Sequence, residues 1–520
     1  MPTTLDEPKT MKPRPGPAAG NGARRKYWIS LVLALVVVLA ASTYFFYHDW
    51  PFTPTNVVKE LELATSSNVQ FTTFRRMILP HPGCVLEGVT LSRGRSAADR
   101  QVMKIRQLVI KGKWTGLIQK HVAIIRAEGV DAVFPPFGSG PPWKPTETDV
   151  VVDKVIANGA ILQFTRHDPK QPPVKFVIEK LVAHHLARRE PVKYEVRIDN
   201  PEPKGIVDAS GTFGPWNMDQ LSATPLSGNY SFQNADLGSF AGIRGILSSD
   251  GVFQGTLESI AVKGKTKAPD FGAKDTPHKL NLNTDFDAEV DSTNGDVTLH
   301  RVKAQLQKTI IVSKGKVASR PTEDGKTANL DFDVRSGRIQ DLLLLFVSDK
   351  KSPLNGLVSL HAHTLVPPGS APFLRRIELR GDFGIESASF TKEETQTNVN
   401  KLSTASRGGG DQDDDPENVV SDLQGHVDVK NGIATFTALR FRVPGARARM
   451  DGTFDLITQK VDLRGMLYMD AKLPEATSGI KSFLLKAIDP FLKKNRRGGA
   501  KFPVSITGTY QHPAYKADPV

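Results

Sequence analysis

The chain has 520 residues, more than one hydrophobic core usually needs, so several modules or one extended architecture are expected. Its 39% hydrophobic and 24% charged residues exclude a multispan membrane protein and fit a folded, mostly soluble body. The formal net charge of +13 favours an acidic partner surface, either nucleic acid or anionic lipid. The single cysteine, Cys84, excludes an intrachain disulfide and a cysteine-based metal site.

Residues 27–47, YWISLVLALVVVLAASTYFFY, carry no charge and as a helix would span about 31 Å, the thickness of a bilayer core. Arg24, Arg25 and Lys26 precede this run and predict a cytoplasmic N-terminus with a translocated body. The alternative is a cleaved signal peptide, but the apolar run is long for one. We predict a disordered cytoplasmic tail at 1–26 and a transmembrane helix at 27–47. With the body on the far side of the membrane, as this topology predicts, we expect no nucleic-acid partner.

Segments in which apolar and polar residues alternate recur through the body, which is the pattern of strands with one apolar and one polar face. Residues 279–291, KLNLNTDFDAEVD, and residues 329–335 are the clearest examples. Asn-Gly or Asp-Gly pairs that begin at residues 158, 294, 324, 431 and 451 predict turns. The sequence therefore predicts a mostly β body of about 25–30 antiparallel strands.

An internal repeat relates residues 287–317 to residues 424–454. The two segments align without a gap, which places Gly295 on Gly432 and Gly315 on Gly452. Any two hairpins can share an Asn-Gly turn, but the agreement continues well past it. The alignment therefore predicts a repeated hairpin unit.

Helical patterns are few. Apolar residues have helical spacing in 337–348, more weakly in 236–247, and most clearly in 478–494. Residues 403–418, STASRGGGDQDDDPEN, are of low complexity and predict a disordered loop. The Pro-rich stretch 134–145 predicts a linker between an N-terminal portion and the rest.

The segment 478–494 predicts a basic amphipathic helix. Its apolar stripe and its basic end, which we assign as candidate membrane-surface residues, are Ile480, Phe483, Leu484, Ile488, Phe491, Lys493 and Lys494. Such a helix can lie on a membrane with anionic headgroups. It can equally plug the end of the sheet and shield its last edge. The sequence does not decide between these two interpretations.

So few helices cannot cover the apolar faces of so many strands. The sheets can pack on each other as closed sandwiches. Alternatively, one long sheet can curl into a trough whose apolar inner face stays open, which in water requires an apolar ligand. The candidate groove-lining, lipid-binding residues are Leu280, Leu282, Phe286, Val290, Leu330, Phe332 and Val334. For each of them the alternative is an ordinary sandwich core.

Motifs that carry catalysis are missing from the sequence. It contains no Gly-x-Ser-x-Gly, no His-Glu-x-x-His and no phosphate-binding loop. His361 and His363 share a strand face without a placed third ligand, so we interpret them as structural. We therefore predict no catalytic residue, no metal site and no cofactor.

The C-terminal part has a recognisable pattern. Residues 425–469, followed by SGIKSFLLKAIDPFLKK and FPVSITGTYQHPAY, resemble the C-terminal region of the AsmA-like family of bacterial envelope proteins. The resemblance is dense over about residues 420–515, and the N-terminal half is consistent with it. It implies a bacterial inner-membrane anchor, a periplasmic body with an apolar β-groove, and no enzymatic activity. It also implies phospholipid and the inner membrane as partners, with outer-membrane or other envelope proteins as further partners.

The combined prediction is a mostly β protein in which an N-terminal transmembrane helix precedes an elongated, curled antiparallel β-groove with a few short amphipathic helices. Its regions are an N-terminal periplasmic β region at 48–140, a central repetitive groove at 141–402, the loop at 403–418 and an AsmA-like C-terminal region at 419–520. The expected function is assistance of phospholipid transport to, or biogenesis of, the outer membrane. The alternatives are a structural, assembly or regulatory envelope protein with closed sandwich cores, and a membrane-anchored hydrolase.

Overall fold

The structure is a computed structural model, and it describes residues 34–38, 40, 50–93, 100–116, 121–134, 149–165, 173–187, 189–217, 220–240, 242–274, 276–292, 294–320, 325–347, 349–407, 419–470 and 500–517. The chain divides into two compact units, Met1–Val57 and Val58–Val520, and the second contains the sheet. Residues 34–38 and 40, within the predicted span, are helical. None of the helices in these ranges is long and apolar enough to cross a membrane. The remainder of 27–47 lies outside the described residues, as do the tail with Arg24, Arg25 and Lys26 and the predicted helix 478–494.

Strands dominate the described residues. They are β1 (Asn68–Gln70), β2 (Thr73–Met77), β3 (Gly83–Arg93), β4 (Arg100–Gly112), β5 (His121–Phe134), β6 (Val151–Phe164), β7 (Val174–Leu186), β8 (Val192–Pro201), β9 (Lys204–Phe213), β10 (Pro225–Asp236), β11 (Ile243–Arg244), β12 (Ile246–Thr256), β13 (Ser259–Ala273), β14 (Leu280–Asp291), β15 (Asp296–Leu306), β16 (Thr309–Ser319), β17 (Lys326–Arg338), β18 (Leu354–Val366), β19 (Glu378–Phe390), β20 (Ser421–Lys430), β21 (Ile433–Val443), β22 (Ala446–Asp455), β23 (Lys460–Met469), β24 (Ala500–Thr509) and β25 (Pro513–Ala517). The helices are α1 (Pro54–Thr65), α2 (Ile339–Leu343), α3 (Phe373–Arg376) and α4 (Glu393–Ser406), and short 3₁₀ turns lie at Trp114–Gly116, Leu221–Ala223 and Leu237–Ser239.

All 25 strands belong to one sheet, in which strands pair with their neighbours along the chain. Strands β1 and β2 both pair with β3, β10 pairs with β12, and the short β11 pairs with β13. Every pairing is antiparallel except that of β5 with β6. The mostly β, open antiparallel sheet predicted from the alternating segments is therefore confirmed.

The parallel pair of β5 and β6 has a covalent reason. Residues 135–150 connect the two strands, and a parallel connection needs a dozen or more residues to return to the same end of the sheet. The Pro-rich stretch that predicted a linker is part of this connection. Strands β5 and β6 pair from His121 to Phe134, so the sheet continues across the predicted boundary at residue 140.

The two repeated segments form the same hairpin with the same irregularity. In one copy Leu299 is opposite Gly315, and the register then shifts before Val302. In the other copy Phe436 is opposite Gly452, and the register shifts before Leu439. The φ angles of the two glycines, +148° and +151°, lie where side chains are rarely found. The repeat therefore extends from the sequence to a shared β-bulge.

Two of the predicted turns are wrong. Gly159 lies inside β6 and Gly452 lies inside β22, whereas the pairs at 294 and 431 do form turns between strands. The reason is that a positive φ serves a bulge as well as a hairpin turn, so the dipeptide alone does not distinguish them.

Three helix and loop predictions need correction. The helix predicted in 337–348 is limited to α2. The pattern in 236–247 gives only a 3₁₀ turn before β11 and β12, since Gly242 and Gly245 have φ of +97° and +131°, which no helix accommodates. The loop predicted from residue 403 begins later, because α4 continues to Ser406. The Ser403 hydroxyl donates a hydrogen bond of 2.8 Å to the Pro444 carbonyl and so holds this last turn against the sheet.

We expect Gly452→Ala to lower the free energy of unfolding by more than about 3 kcal/mol, because the new methyl group would overlap the Asp462 carbonyl of the next strand. Gly159→Ala is the matched control. Its φ is +63°, but no atom lies within 4 Å of the added methyl, so only the backbone cost of about 1–2 kcal/mol applies. Urea unfolding of both variants measures the difference, and equal losses would contradict the role assigned to the bulge.

Candidate functional site: the apolar face of the sheet

One row of directly paired residues crosses the sheet through every strand except β1 and β11. We call it the first apolar row, and it consists of Phe74, Leu86, Leu108, Ala127, Ala157, Leu181, Val196, Ala209, Tyr230, Gly251, Gly264, Phe286, Val302, Ser313, Phe332, Ala362, Gly381, Val427, Phe436, Gly452, Leu463, Ile506 and Tyr515. None of these residues is charged. At the usual strand spacing the row is about 105 Å long.

A second apolar row runs beside the first on the same face, from β3 to β25, also without a charge. Its members are Cys84, Ile110, Ile125, Val155, Ala183, Tyr194, Gly211, Gly228, Phe253, Val262, Ala288, Leu299, Gly315, Leu330, Thr364, Leu379, Val429, Ala434, Phe454, Val461, Gly508 and Pro513. The two rows together form a continuous apolar track perpendicular to the strands.

The opposite face has a different composition. The row one residue away from the first apolar row is polar from β2 to β21, with Val312 as its one apolar member: Thr73, Glu87, Gln107, Glu128, Asn158, Lys180, Arg197, Asp208, Ser231, Asp250, Lys265, Asp285, Lys303, Val312, Asp333, His361, Asp382, His426 and Thr437. Acids and bases face each other across strands on this face. Lys263 contacts Asp287 at 3.2 Å, and Arg197 contacts Asp208 at 2.8 Å.

The two faces also differ in exposure. On the polar face Val252 and Ile310 are open to solvent, with 52% and 49% of their surface exposed. On the apolar face Val262, Phe286 and Phe332 are only half-buried, neither open nor fully enclosed. Val262 is thus less accessible than Val252, a residue of the same type on the opposite face.

Aromatic rings fill the gaps that glycines leave on the apolar face. A methyl group on Gly264 would meet the Tyr230 hydroxyl at 2.6 Å and the Phe286 ring at 2.9 Å. A methyl group on Gly251 would meet the Tyr230 ring at 2.7 Å. The rings therefore lie over the backbone of neighbouring strands, which keeps this part of the face smooth.

Helices cover one end of the strands. Ile339 of α2 packs with Val334, Leu354 and Val358, and Val399 of α4 packs with buried residues of β21–β23. Polar contacts fix α4 in place, since the Gln396 side chain accepts from the Phe390 backbone N–H at 2.8 Å and the Asn400 side chain accepts from the Val419 N–H at 3.1 Å. The apolar face is thus closed by protein at one strand end.

Two of the groove-lining candidates lie deeper than the other five. Leu280 is 2% exposed and Val334 is 3% exposed, so both are core residues that an external ligand does not reach. The remaining five candidates are half-buried on the apolar side: Leu282, Phe286, Val290, Leu330 and Phe332. Phe286 and Phe332 belong to the first apolar row and Leu330 to the second.

Residues missed by the sequence analysis make up most of the track. Phe436, Leu463 and Ile506 continue the first row into the C-terminal strands. The alternation within each strand was a usable signal for them. It fails at bulges, where Leu299 and Val302 face the same side although their numbers differ by an odd amount.

Hydroxyl groups on the apolar side are half-buried in Tyr194 and Tyr230 and buried in Ser313 and Thr364. Burial raises the pKa of Tyr194 and Tyr230, although the hydrogen bond of 3.0 Å between the hydroxyls of Tyr230 and Ser249 partly offsets this for Tyr230. The Ser313 and Thr364 hydroxyls have no hydrogen-bond partner in the structure. These groups sit in a surface of low polarity, which favours apolar contacts over ionic ones.

Cavities and metal-binding groups do not point to a different site. Depressions of about 500 and 740 Å³ lie on the polar face, among charged side chains such as Arg197 and Asp208 in one and Lys265 and Asp285 in the other. Over the described ranges, no three His, Cys, Asp or Glu side chains lie together so that they could hold a metal ion.

The fold and the track define a class of protein: a single open sheet whose strands pair in chain order and whose two faces are apolar and polar along their length. No protein-family model, curated protein or solved structure matches the chain. The resemblance to AsmA-like envelope proteins therefore rests on the sequence segments quoted above.

We expect the single cysteine to report on the closure of the track near β3. Cys84 is fully buried, and burial raises its pKa to about 12. In the native protein at about pH 8 a thiol reagent should label it far more slowly than in the denatured chain.

The same burial predicts a pH dependence of stability. The Cys84 thiol loses its proton near pH 9.0 in the unfolded chain and keeps it until about pH 12 in the folded chain, so the free energy of unfolding should fall as the pH rises between these values. Equally fast labelling of native and denatured protein would contradict this burial.

Proposed function

We propose that this protein binds lipid acyl chains along its apolar track and assists phospholipid transport to, or biogenesis of, the outer membrane, without catalysis. The observation that carries the proposal is the uncharged first apolar row across the sheet. Water alone does not stabilise a surface of this length, since contiguous apolar patches of monomeric soluble proteins rarely exceed a few hundred Å².

The dimensions of the track suit acyl chains. Its two rows lie about 7 Å apart along the strands, which is close to the width of one or two extended hydrocarbon chains. Glycines under the Tyr230 and Phe286 rings keep the surface low, and the uncharged rows offer no partner to a headgroup. Acyl chains would therefore lie on the track while their headgroups remain at a strand end.

The sequence supplies the cellular setting of the proposal. The uncharged run at 27–47 provides an anchor, and the basic residues Arg24, Arg25 and Lys26 place the body on the far side of the membrane. Within that run Leu35, Val36, Val37 and Val38 are helical and each more than half exposed, as expected of residues that meet lipid. The AsmA-like resemblance adds the bacterial inner membrane and envelope partners to this setting.

The alternative is a structural or assembly role in the envelope with no lipid path. The fully buried clusters beneath α2 and α4 favour it locally, because they are ordinary protein cores. It predicts that the half-buried middle of the track is covered by protein in the cell.

We expect native mass spectrometry of the purified full-length protein to detect bound phospholipid, released when the protein is denatured. The physical reason is that the half-buried rows lose contact with water when acyl chains cover them. A protein that is consistently empty after purification from membranes would contradict the proposed function and favour the structural alternative.

We expect Phe286→Asp to reduce the amount of bound lipid while leaving the fold intact. Phe286 is half-buried on an open face, so its carboxylate can remain hydrated in the absence of lipid but would be costly beneath an acyl chain. Val252→Asp introduces the same charge on the polar face two strands away and should leave lipid binding unchanged. Unfolding of the Phe286→Asp variant, seen by circular dichroism, would instead assign Phe286 to a closed core.

A further inference from the structure

One group of cations on the polar face lies without carboxylate partners among the described residues. Strands β21–β24 present Arg440, Arg442, Arg447, Arg449 and Lys501, all exposed, which we call the arginine patch. Within the described part of the chain, none of its four arginines has a carboxylate within ion-pair distance. Elsewhere on this face arginines such as Arg197 and Arg380 contact aspartates at 2.8 Å.

The register places like charges opposite each other in the patch. Arg440 is directly opposite Arg449, and Arg442 is directly opposite Arg447. Directly opposed like charges destabilise an antiparallel pair. The sheet therefore carries a local electrostatic cost that an anionic partner would remove.

Nearby carboxylates are engaged by backbone groups. Asp422 is opposite Arg442, but its side chain accepts a hydrogen bond of 3.2 Å from the Ser387 N–H. The side chain of Asp451 accepts one of 2.7 Å from the Ala438 N–H. Because these aspartates bond to the backbone at irregular points of the sheet, they leave the arginines available to an external anion.

An aromatic ring lies inside the patch. Tyr468 is directly opposite both Arg447 and Lys501, and each cation lies 5.5 Å from its ring centroid. Tyrosine is enriched where proteins meet the membrane–water interface, so its presence among these cations is consistent with a lipid surface. The patch extends across four strands, over about 15 Å, and the cavities described above lie on other strands. An array of cations over this distance fits an extended anionic surface better than a single small anion.

We propose that the arginine patch docks the sheet onto a bilayer surface that contains anionic phospholipid. Arginine forms paired hydrogen bonds with phosphate, and each basic residue near an anionic bilayer strengthens binding about fivefold. The choice of lipid over another polyanion rests on the proposed function, because the track on the opposite face of the same strands is assigned to acyl chains.

The test uses the full-length protein in phosphatidylcholine nanodiscs, mixed with vesicles of phosphatidylcholine with or without phosphatidylglycerol. Recruitment of the protein to vesicles is measured by co-flotation. We expect recruitment only to vesicles with phosphatidylglycerol, weakened by added salt. Arg442→Gln combined with Arg449→Gln should lower the partition coefficient roughly 30-fold.

The matched control is Arg197→Gln combined with Arg380→Gln, which removes the same charge from arginines that contact aspartates. It should change recruitment less than about twofold. An equal loss in both double variants would overturn the proposal, since it would show a dependence on net charge alone. Unchanged recruitment of the patch variant would also overturn it, and so would patch-dependent binding to an RNA oligonucleotide but not to vesicles.

Two further measurements separate docking from folding and from the track. The patch variant should unfold at a temperature no lower than that of the wild type, because it relieves two like-charge contacts. Arg442→Lys combined with Arg449→Lys should retain recruitment, and a loss there together with a lowered unfolding temperature would assign the patch a structural role.

The patch variant should carry as much bound phospholipid as the wild type. If neither carries any while recruitment still depends on the patch, the proposed function fails and the docking surface stands.

Discussion

The register of the strand pairing is the constraint on which the rest of this structure depends. Successive side chains of a strand point to opposite faces, so a slip of one residue in any pairing would bring charges into the apolar rows. From Phe74 to Tyr515 no such slip occurs. Where the spacing does change, as between Leu299 and Val302, a bulge absorbs the extra residues and returns the chain to the same face.

The two faces place different demands on the chain. Side chains on the polar face are hydrated or form cross-strand ion pairs, each of which contributes little to the free energy of folding. The apolar face is covered by α2 and α4 at one strand end, and row members such as Cys84, Leu86 and Leu108 are buried as well, whereas the side chains between β12 and β17 are mostly half-buried. Val334 lies in the cluster beneath α2 and is a core residue, while Phe332 of the same strand is half-buried. Leu280 and Phe286 of β14 differ in exposure in the same way.

Much of this architecture could be predicted from alternation alone. The apolar parity of 279–291 and 329–335 identified the correct face, and the observed strand number lies within the expected range. Other features depend on contacts between distant segments. The burial of Leu280 and Val334 depends on residues outside their own strands. An Asp-Gly pair, which predicts a turn between strands, forms a bulge at Gly452 inside β22. The opposition of Arg440 and Arg449 requires the register across that bulge, which the sequence does not state.

Pairing between chain neighbours makes the sheet modular along its length. Each strand needs only the one before it and the one after it, as in repeat proteins whose stability is approximately a sum over nearest neighbours. A hairpin such as the unit shared by 287–317 and 424–454 contributes two strands. Its insertion or loss therefore leaves the next strand with the same direction and with its apolar residues on the same face. The reach of the track can therefore be lengthened or shortened in steps of about 10 Å by duplication, without redesign of either face.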